Sequence, residues 1–99
     1  MIGCDIVKIS RFESKPDRWA EKILTDLEKK EYLNRKSTRL SYLAGRWAAK
    51  EAIYKCLKTV KNYSILTNED GSPYVLEDPN IKISISHERE YCIAFVLKL

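Results

Sequence analysis

Between Thr38 and Lys58 the chain carries no proline and one glycine, Gly45. Within that stretch Leu40, Leu43, Ala44, Trp47, Ala48 and Tyr54 recur at three- and four-residue steps. The spacing predicts one long helix packed along that face. Arg46 and Lys50 stand one turn apart on another face, and Glu51 and Lys55 do the same. A helix of this length must bury its apolar side against a second layer, and the rest of the chain has to supply it.

After Lys61 the period drops from helical to two. Tyr63 to Thr67 and Tyr74 to Leu76 flank Asn68-Glu69-Asp70-Gly71-Ser72-Pro73, an Asp-Gly hairpin signal with a longer loop. Ile81, Ile83 and Ile85 alternate with Lys82, Ser84 and Ser86, which predicts a half-buried strand ending at Ser86-His87. A tight polar connection, His87-Glu88-Arg89-Glu90, leads into Tyr91 to Leu97, apolar on both sides. Such a strand is predicted to be buried on both faces, one under the chain's own helices and the other under another subunit.

At the other end, Met1 to Ile9 reads as a strand with Asp5 inside it. Pro16 in a first turn opens a short helix through about Leu24. Thr25-Asp26-Leu27-Glu28 is a T-x-x-E capping box, opening a second helix with Leu27 and Tyr32-Leu33 on its apolar side. The order is strand, three helices, four strands. Helices and strands are segregated, so the expected class is α+β with a mainly antiparallel sheet. With 99 residues, positions 1–99 are read as a single domain.

Charge narrows the partners. Residues 1–62 carry a net +7 and residues 63–99 a net −3, which together give the formal +4. A basic half suits nucleic acid, a phosphorylated ligand or an acidic protein. The apolar run from Tyr91 to Leu97 is far shorter than the roughly 20 residues of a membrane helix. No basic segment leading into an apolar stretch marks a signal peptide at the start. Cys4, Cys56 and Cys92 are odd in number and widely spaced, so they are read as reduced residues of a cytoplasmic protein.

No glycine-rich phosphate loop and no serine elbow is present, and a single histidine excludes H-E-x-x-H. What remains is Asp5 in a strand, Glu51 and Lys55 on the long helix, and His87 at a strand end. Two carboxylates from different elements can share one Mg²⁺, with water and phosphate oxygens completing its shell. Each residue also has a plainer reading. Glu51 and Lys55 form an ordinary i,i+4 surface pair, His87 caps a turn, and Asp5 accepts backbone hydrogen bonds.

Three segments shift that balance. G-C-D-I at 3–6, Y-L-A-G-R-W-A-A-K-E-A at 42–52 and I-S-I-S-H at 83–87 resemble the signature segments of the small phosphopantetheinyl transferases, the holo-acyl-carrier-protein synthase group. R-W-A-E-K-I-L-T at 18–25 and E-D-G-S-P-Y at 69–74 match in the same order, so the resemblance spans nearly the whole chain. It implies transfer of 4′-phosphopantetheine from coenzyme A to a serine of apo acyl carrier protein. The other product is adenosine 3′,5′-bisphosphate, and the reaction serves fatty acid and lipid biosynthesis. It further implies Mg²⁺ and a homotrimer with sites between subunits.

By the same resemblance, Asp5 and Glu51 match the metal ligands, and Glu51 is a candidate base for the serine proton. Lys55 matches a lysine that approaches the pyrophosphate. Arg46, Lys50 and His87 match positions facing coenzyme A. Arg11 and Arg18 match residues that dock the acidic carrier, with the aromatic Trp19 beside them. The chain departs from the pattern where Lys58-Thr59-Val60 replaces a glycine-containing turn and where Glu88 follows His87. The segments between Arg11 and Arg18 and around Asp78-Pro79 are also short. Two competing readings are a basic module that binds nucleic acid or acidic protein and a non-catalytic trimeric relative. Against nucleic acid, the aromatics do not interleave with Lys and Arg on a strand face.

Overall fold

In the computed structural model, which describes residues 1–99, the chain runs β1 (Ile2–Lys8), a 3-10 turn (Ile9–Phe12), α1 (Pro16–Ile23), α2 (Asp26–Asn34), α3 (Arg39–Leu57), β2 (Ile65–Thr67), β3 (Pro73–Val75), β4 (Ile81–Glu88) and β5 (Tyr91–Lys98). Both expected helix starts form. Pro16 occupies the first turn of α1. At α2 the Thr25 hydroxyl accepts from the Glu28 amide at 3.3 Å, and the Glu28 carboxylate accepts from the Thr25 amide at 2.8 Å.

The strands make two antiparallel sheets rather than one: β1-β5-β4, and a separate pair, β2-β3. α3 lies across the three-stranded sheet and approaches it closely because its sheet-facing residues are small. Ala44, Ala48, Ala49 and Ala52 are fully buried. Gly3 of β1 completes the contact, since a Cβ there would sit 2.0 Å from the Ala52 carbonyl oxygen. The register sets Asp5 opposite Ala94 and His87 opposite Cys92, all on the face toward α3.

Several expectations need correction. On α2 the inward side chains are Glu28 and Tyr32, while Leu27 and Leu33 are 42% and 62% exposed. The helix is docked through a capping carboxylate and a phenol rather than through its leucines. Tyr32 donates to Asp17 at 2.8 Å, and with burial this raises its pKa to about 12. Tyr54 is also exposed: it points outward from α3, while Ala52, Ile53 and Cys56 beside it are buried in the core.

β5 is buried on one face only. Cys92, Ala94 and Val96 point into the core, while Tyr91, Ile93, Phe95 and Leu97 stand exposed on the outer face beside Ile2 and Ile6 of β1. Within the chain, nothing covers that apolar outer surface. β4 also runs past Ser86-His87 to Glu88, and a two-residue turn with Arg89 at φ 56° returns the chain.

Candidate active site

Asp5 sits in mid-β1 with its side chain toward α3. Its carboxylate, 16% exposed, pairs with the Lys55 ammonium at 3.0 Å. Lys55 also donates to the Cys4 carbonyl at 3.1 Å. One turn earlier on α3 stands Glu51, half-buried, whose carboxylate enters none of the ion pairs of the fold. Asp5 and Lys55 thus meet across β1 and α3, and a second carboxylate stands one helical turn before the lysine. No cluster of three or more His, Cys, Asp and Glu residues forms anywhere in the chain.

A hollow is lined by Trp19, Trp47, Lys50, Glu51, Tyr54 and Asn62. Its aromatic wall is rigid, with Phe12, Trp19 and Trp47 meeting edge to face at centroid distances of 5.4, 5.9 and 6.0 Å. Arg11 extends its guanidinium over Trp47 at 5.7 Å. Exposed Arg18 and Lys22 lie beside Trp19 on a basic rim. The three residues assigned to carrier docking therefore share one surface, next to Glu51.

Arg46 and His87 belong to a different hollow, with Arg35, Ser41 and Thr67. Arg46 is buried, donating to the Ile65 carbonyl and the Thr67 hydroxyl at 2.9 Å each, with Glu31 at 3.5 Å. Burial pulls its pKa below the usual guanidinium range. Arg35 donates to Thr67 at 3.2 Å and stacks on Tyr42, yet has no carboxylate partner. His87 places Nε2 at 3.2 Å from the Ser41 carbonyl. A carbonyl only accepts, so this contact puts the proton on Nε2 and leaves Nδ1 free.

Lys50 is turned inward. Its ammonium donates to Glu28, Asn62 and the Tyr63 carbonyl at 2.7, 2.5 and 2.7 Å. Burial lowers its pKa, and fully buried Glu28 opposes the shift. Residue-type reasoning missed Trp47 as a site wall, Arg35 as an uncommitted cation, and Glu28 as the counterion of Lys50. For Trp47 a signal existed, because it follows Arg46 in the signature segment. For Glu28 the only signal was the capping box, which says nothing about burial.

A family model described as the 4′-phosphopantetheinyl transferase superfamily matches residues 1–96. A holo-[acyl-carrier-protein] synthase of Acholeplasma laidlawii is 41% identical over 109 residues, covering 97% of this chain and 92% of that protein. One from Mycoplasma mobile is 41% identical over 98 residues, covering 99% and 88%. Among solved structures, a holo-(acyl-carrier-protein) synthase of Bacillus anthracis in complex with CoA (3′,5′-ADP) superposes with a TM-score of 0.84 at 33% identity, covering 96% of this chain and 91% of that one. The Helicobacter pylori synthase in complex with coenzyme A gives 0.78 at 28% identity, with complete coverage of both chains.

Proposed function

Because this chain belongs to the 4′-phosphopantetheinyl transferase superfamily and is an enzyme of that reaction, we propose that it moves 4′-phosphopantetheine from coenzyme A to a serine of apo acyl carrier protein. The products are holo carrier protein and adenosine 3′,5′-bisphosphate. The observation that carries this reading is the contact of Asp5 with Lys55 across β1 and α3, with Glu51 one helical turn before that lysine. The reaction is a displacement at phosphorus, where positioning and charge neutralisation do most of the work. The serine oxygen forms the new bond to phosphorus, and the bond to the adenosine bisphosphate oxygen breaks. Glu51, free of ion pairs, takes the serine proton.

Mg²⁺ is the metal that the donor set suits. Asp5 already accepts a cation, in the form of the Lys55 ammonium, and Glu51 offers a second carboxylate one helical turn from it. Two carboxylates without a larger protein cluster match a cation whose remaining ligands are water and phosphate. When bound there, Mg²⁺ supplies charge stabilisation to the pyrophosphate and the departing bisphosphate. Lys55 neutralises the phosphoryl oxygens as charge develops. Arg46, Arg35 and His87, in the second hollow, receive an anionic part of coenzyme A further from the reacting phosphorus. Lys50, held by Glu28, acts through position rather than by touching coenzyme A.

Arg11, Arg18 and Trp19 dock the acidic carrier, and the basic N-terminal half accelerates the encounter in a salt-sensitive way. Residues 1–99 act as one phosphopantetheinyl transferase domain. The uncovered face made by Ile2, Ile6, Ile93, Phe95 and Leu97 supports a homotrimer. The relatives' activity supports a cytoplasmic place in fatty acid and lipid biosynthesis, and no helix is long and apolar enough to cross a membrane. The test is the intact mass of an apo acyl carrier protein after incubation with coenzyme A and Mg²⁺, with an EDTA control. A gain of one phosphopantetheine, lost with EDTA, supports the reading. Coenzyme A binding without transfer would replace it with a non-catalytic relative, and no coenzyme A binding with salt-dependent binding to duplex would restore the basic module.

A further inference from the structure

In the fold as it stands, the Lys55 ammonium occupies a position a divalent cation would need. Its Nζ lies 3.0 Å from Asp5 Oδ1 and 3.1 Å from the Cys4 carbonyl oxygen, two oxygen acceptors of the kind a hard cation takes. Asp5 is held on a strand with its carboxylate largely buried, whereas the Lys55 side chain is 51% exposed on a flexible stem. Only the lysine is free to move. Glu51, one turn back on the same helix, enters no ion pair, so of the two carboxylates Lys55 engages only Asp5.

From this geometry we infer that Lys55 is a stand-in for the divalent cation in the free enzyme and is displaced from Asp5 when the metal enters. A dication on Asp5 and an ammonium at 3.0 Å from the same oxygen repel at close range and compete for the same lone pairs. The two states therefore exclude each other. The released ammonium needs another anion, and a phosphate of coenzyme A is the one the reaction brings. Metal and coenzyme A then bind cooperatively, by the same factor in either order of addition. The consequence for the free enzyme is weak metal binding, with Asp5 kept paired and the carboxylate pair closed to adventitious cations.

This inference rests on the two-carboxylate reading, and the experiment separates the two. Mg²⁺ alone is titrated calorimetrically into the full-length protein without coenzyme A, for the parent chain and for Lys55→Met, Lys55→Gln, Asp5→Asn and Glu51→Gln. Lys55 is an exposed helix residue, so its substitution leaves the fold intact, and the two neutral replacements check each other. The expected result is Mg²⁺ binding tightened by about tenfold or more in both Lys55 variants, although the ammonium of the reaction has been removed. Coenzyme A should tighten Mg²⁺ less in these variants than in the parent. Unchanged or weaker binding in either variant, or a gain below about tenfold, overturns the stand-in role. If Asp5→Asn and Glu51→Gln leave Mg²⁺ binding untouched, the two-carboxylate site itself is wrong and the inference falls with it.

Discussion

Glu28 and Lys50 meet at 2.7 Å in the interior of the molecule, where α2, α3 and the approach to β2 converge. Glu28 is fully buried and answers several donors at once: the Thr25 amide, the Ile65 amide at 2.8 Å and the Lys50 ammonium. Lys50 in turn holds the Tyr63 carbonyl and Asn62, and Asn62 donates to the Ile23 carbonyl at 3.0 Å. The pair ties the end of α1, the start of α2 and the first strand of the small sheet to the middle of the long helix.

Lys50→Met should therefore destabilise the fold by about 3–5 kcal/mol, because it leaves a buried carboxylate without its counterion. The combined Lys50→Met, Glu28→Gln variant should recover much of that loss. Urea unfolding at matched protein concentration checks both. A Lys50→Met variant with unchanged stability and impaired coenzyme A binding would return Lys50 to the ligand.

Asp5→Ala and Glu51→Ala should each abolish transfer, with residual turnover below about one part in a hundred of the parent. Melting temperature should stay within a few degrees, since neither carboxylate supports the core. Intact-mass assays and thermal scans on the same samples test this together, and parent-like turnover in either variant removes the metal-site assignment.

Arg11→Glu should weaken use of the carrier far more than use of coenzyme A. The guanidinium lies over Trp47 on the basic rim, away from the Arg46–His87 hollow. Reversing one rim charge acts mainly on encounter, so the KM for carrier should rise about tenfold at low salt and less at high salt. An equal rise in both KM values would deny Arg11 a docking role.

Ile93→Lys combined with Phe95→Lys should convert an assembled species to monomer in light-scattering measurements. Both side chains lie on the outer face of β5, and burying each against another subunit is worth about 1.5–3 kcal/mol. Their inward neighbours Cys92, Ala94 and Val96 are untouched, so the secondary structure should survive by circular dichroism. A variant of unchanged mass would place the assembly surface elsewhere.

Lys58→Gly should raise stability by about 0.5–1 kcal/mol. Lys58 ends α3 in the left-handed region, at φ 56° and ψ 37°, where a side chain costs roughly 1–2 kcal/mol and glycine costs little. The extra freedom of glycine in the unfolded chain offsets part of the gain. Urea midpoints compare the two, and a loss of stability would show that the lysine side chain, which reaches over Tyr54 at 5.9 Å, contributes more than the backbone strain removes.

What the sequence disclosed follows the range of the interactions involved. The capping box at Thr25 and Glu28 and the long α3 depend on residues within a turn or two of each other, and both formed as the spacing implied. The alternation from Ile81 to Ile85 likewise became β4. The inward face of α2 was misread because Glu28 is buried by partners from α3 and β2, thirty or more positions away for Ile65. The outer face of β5, expected to lie under another subunit, is uncovered within one chain, and apolar composition alone does not say what lies against it. In the site, the closeness of Asp5 and Lys55 came from motif order rather than spacing, for fifty positions separate them. The inward turn of Lys50 left no mark in the motif at all.

Gly3 lies two residues before Asp5, and the carbonyl it presses against belongs to Ala52, the residue after Glu51. The missing methyl group therefore acts as a gauge. It fixes how far apart the strand and the helix stand beside Asp5 and Glu51. A Gly3→Ala chain would meet Ala52 oxygen at 2.0 Å and would have to open that span. The calibration of the site is thus written in a residue that never touches a ligand, in the absence of a side chain rather than in the presence of one.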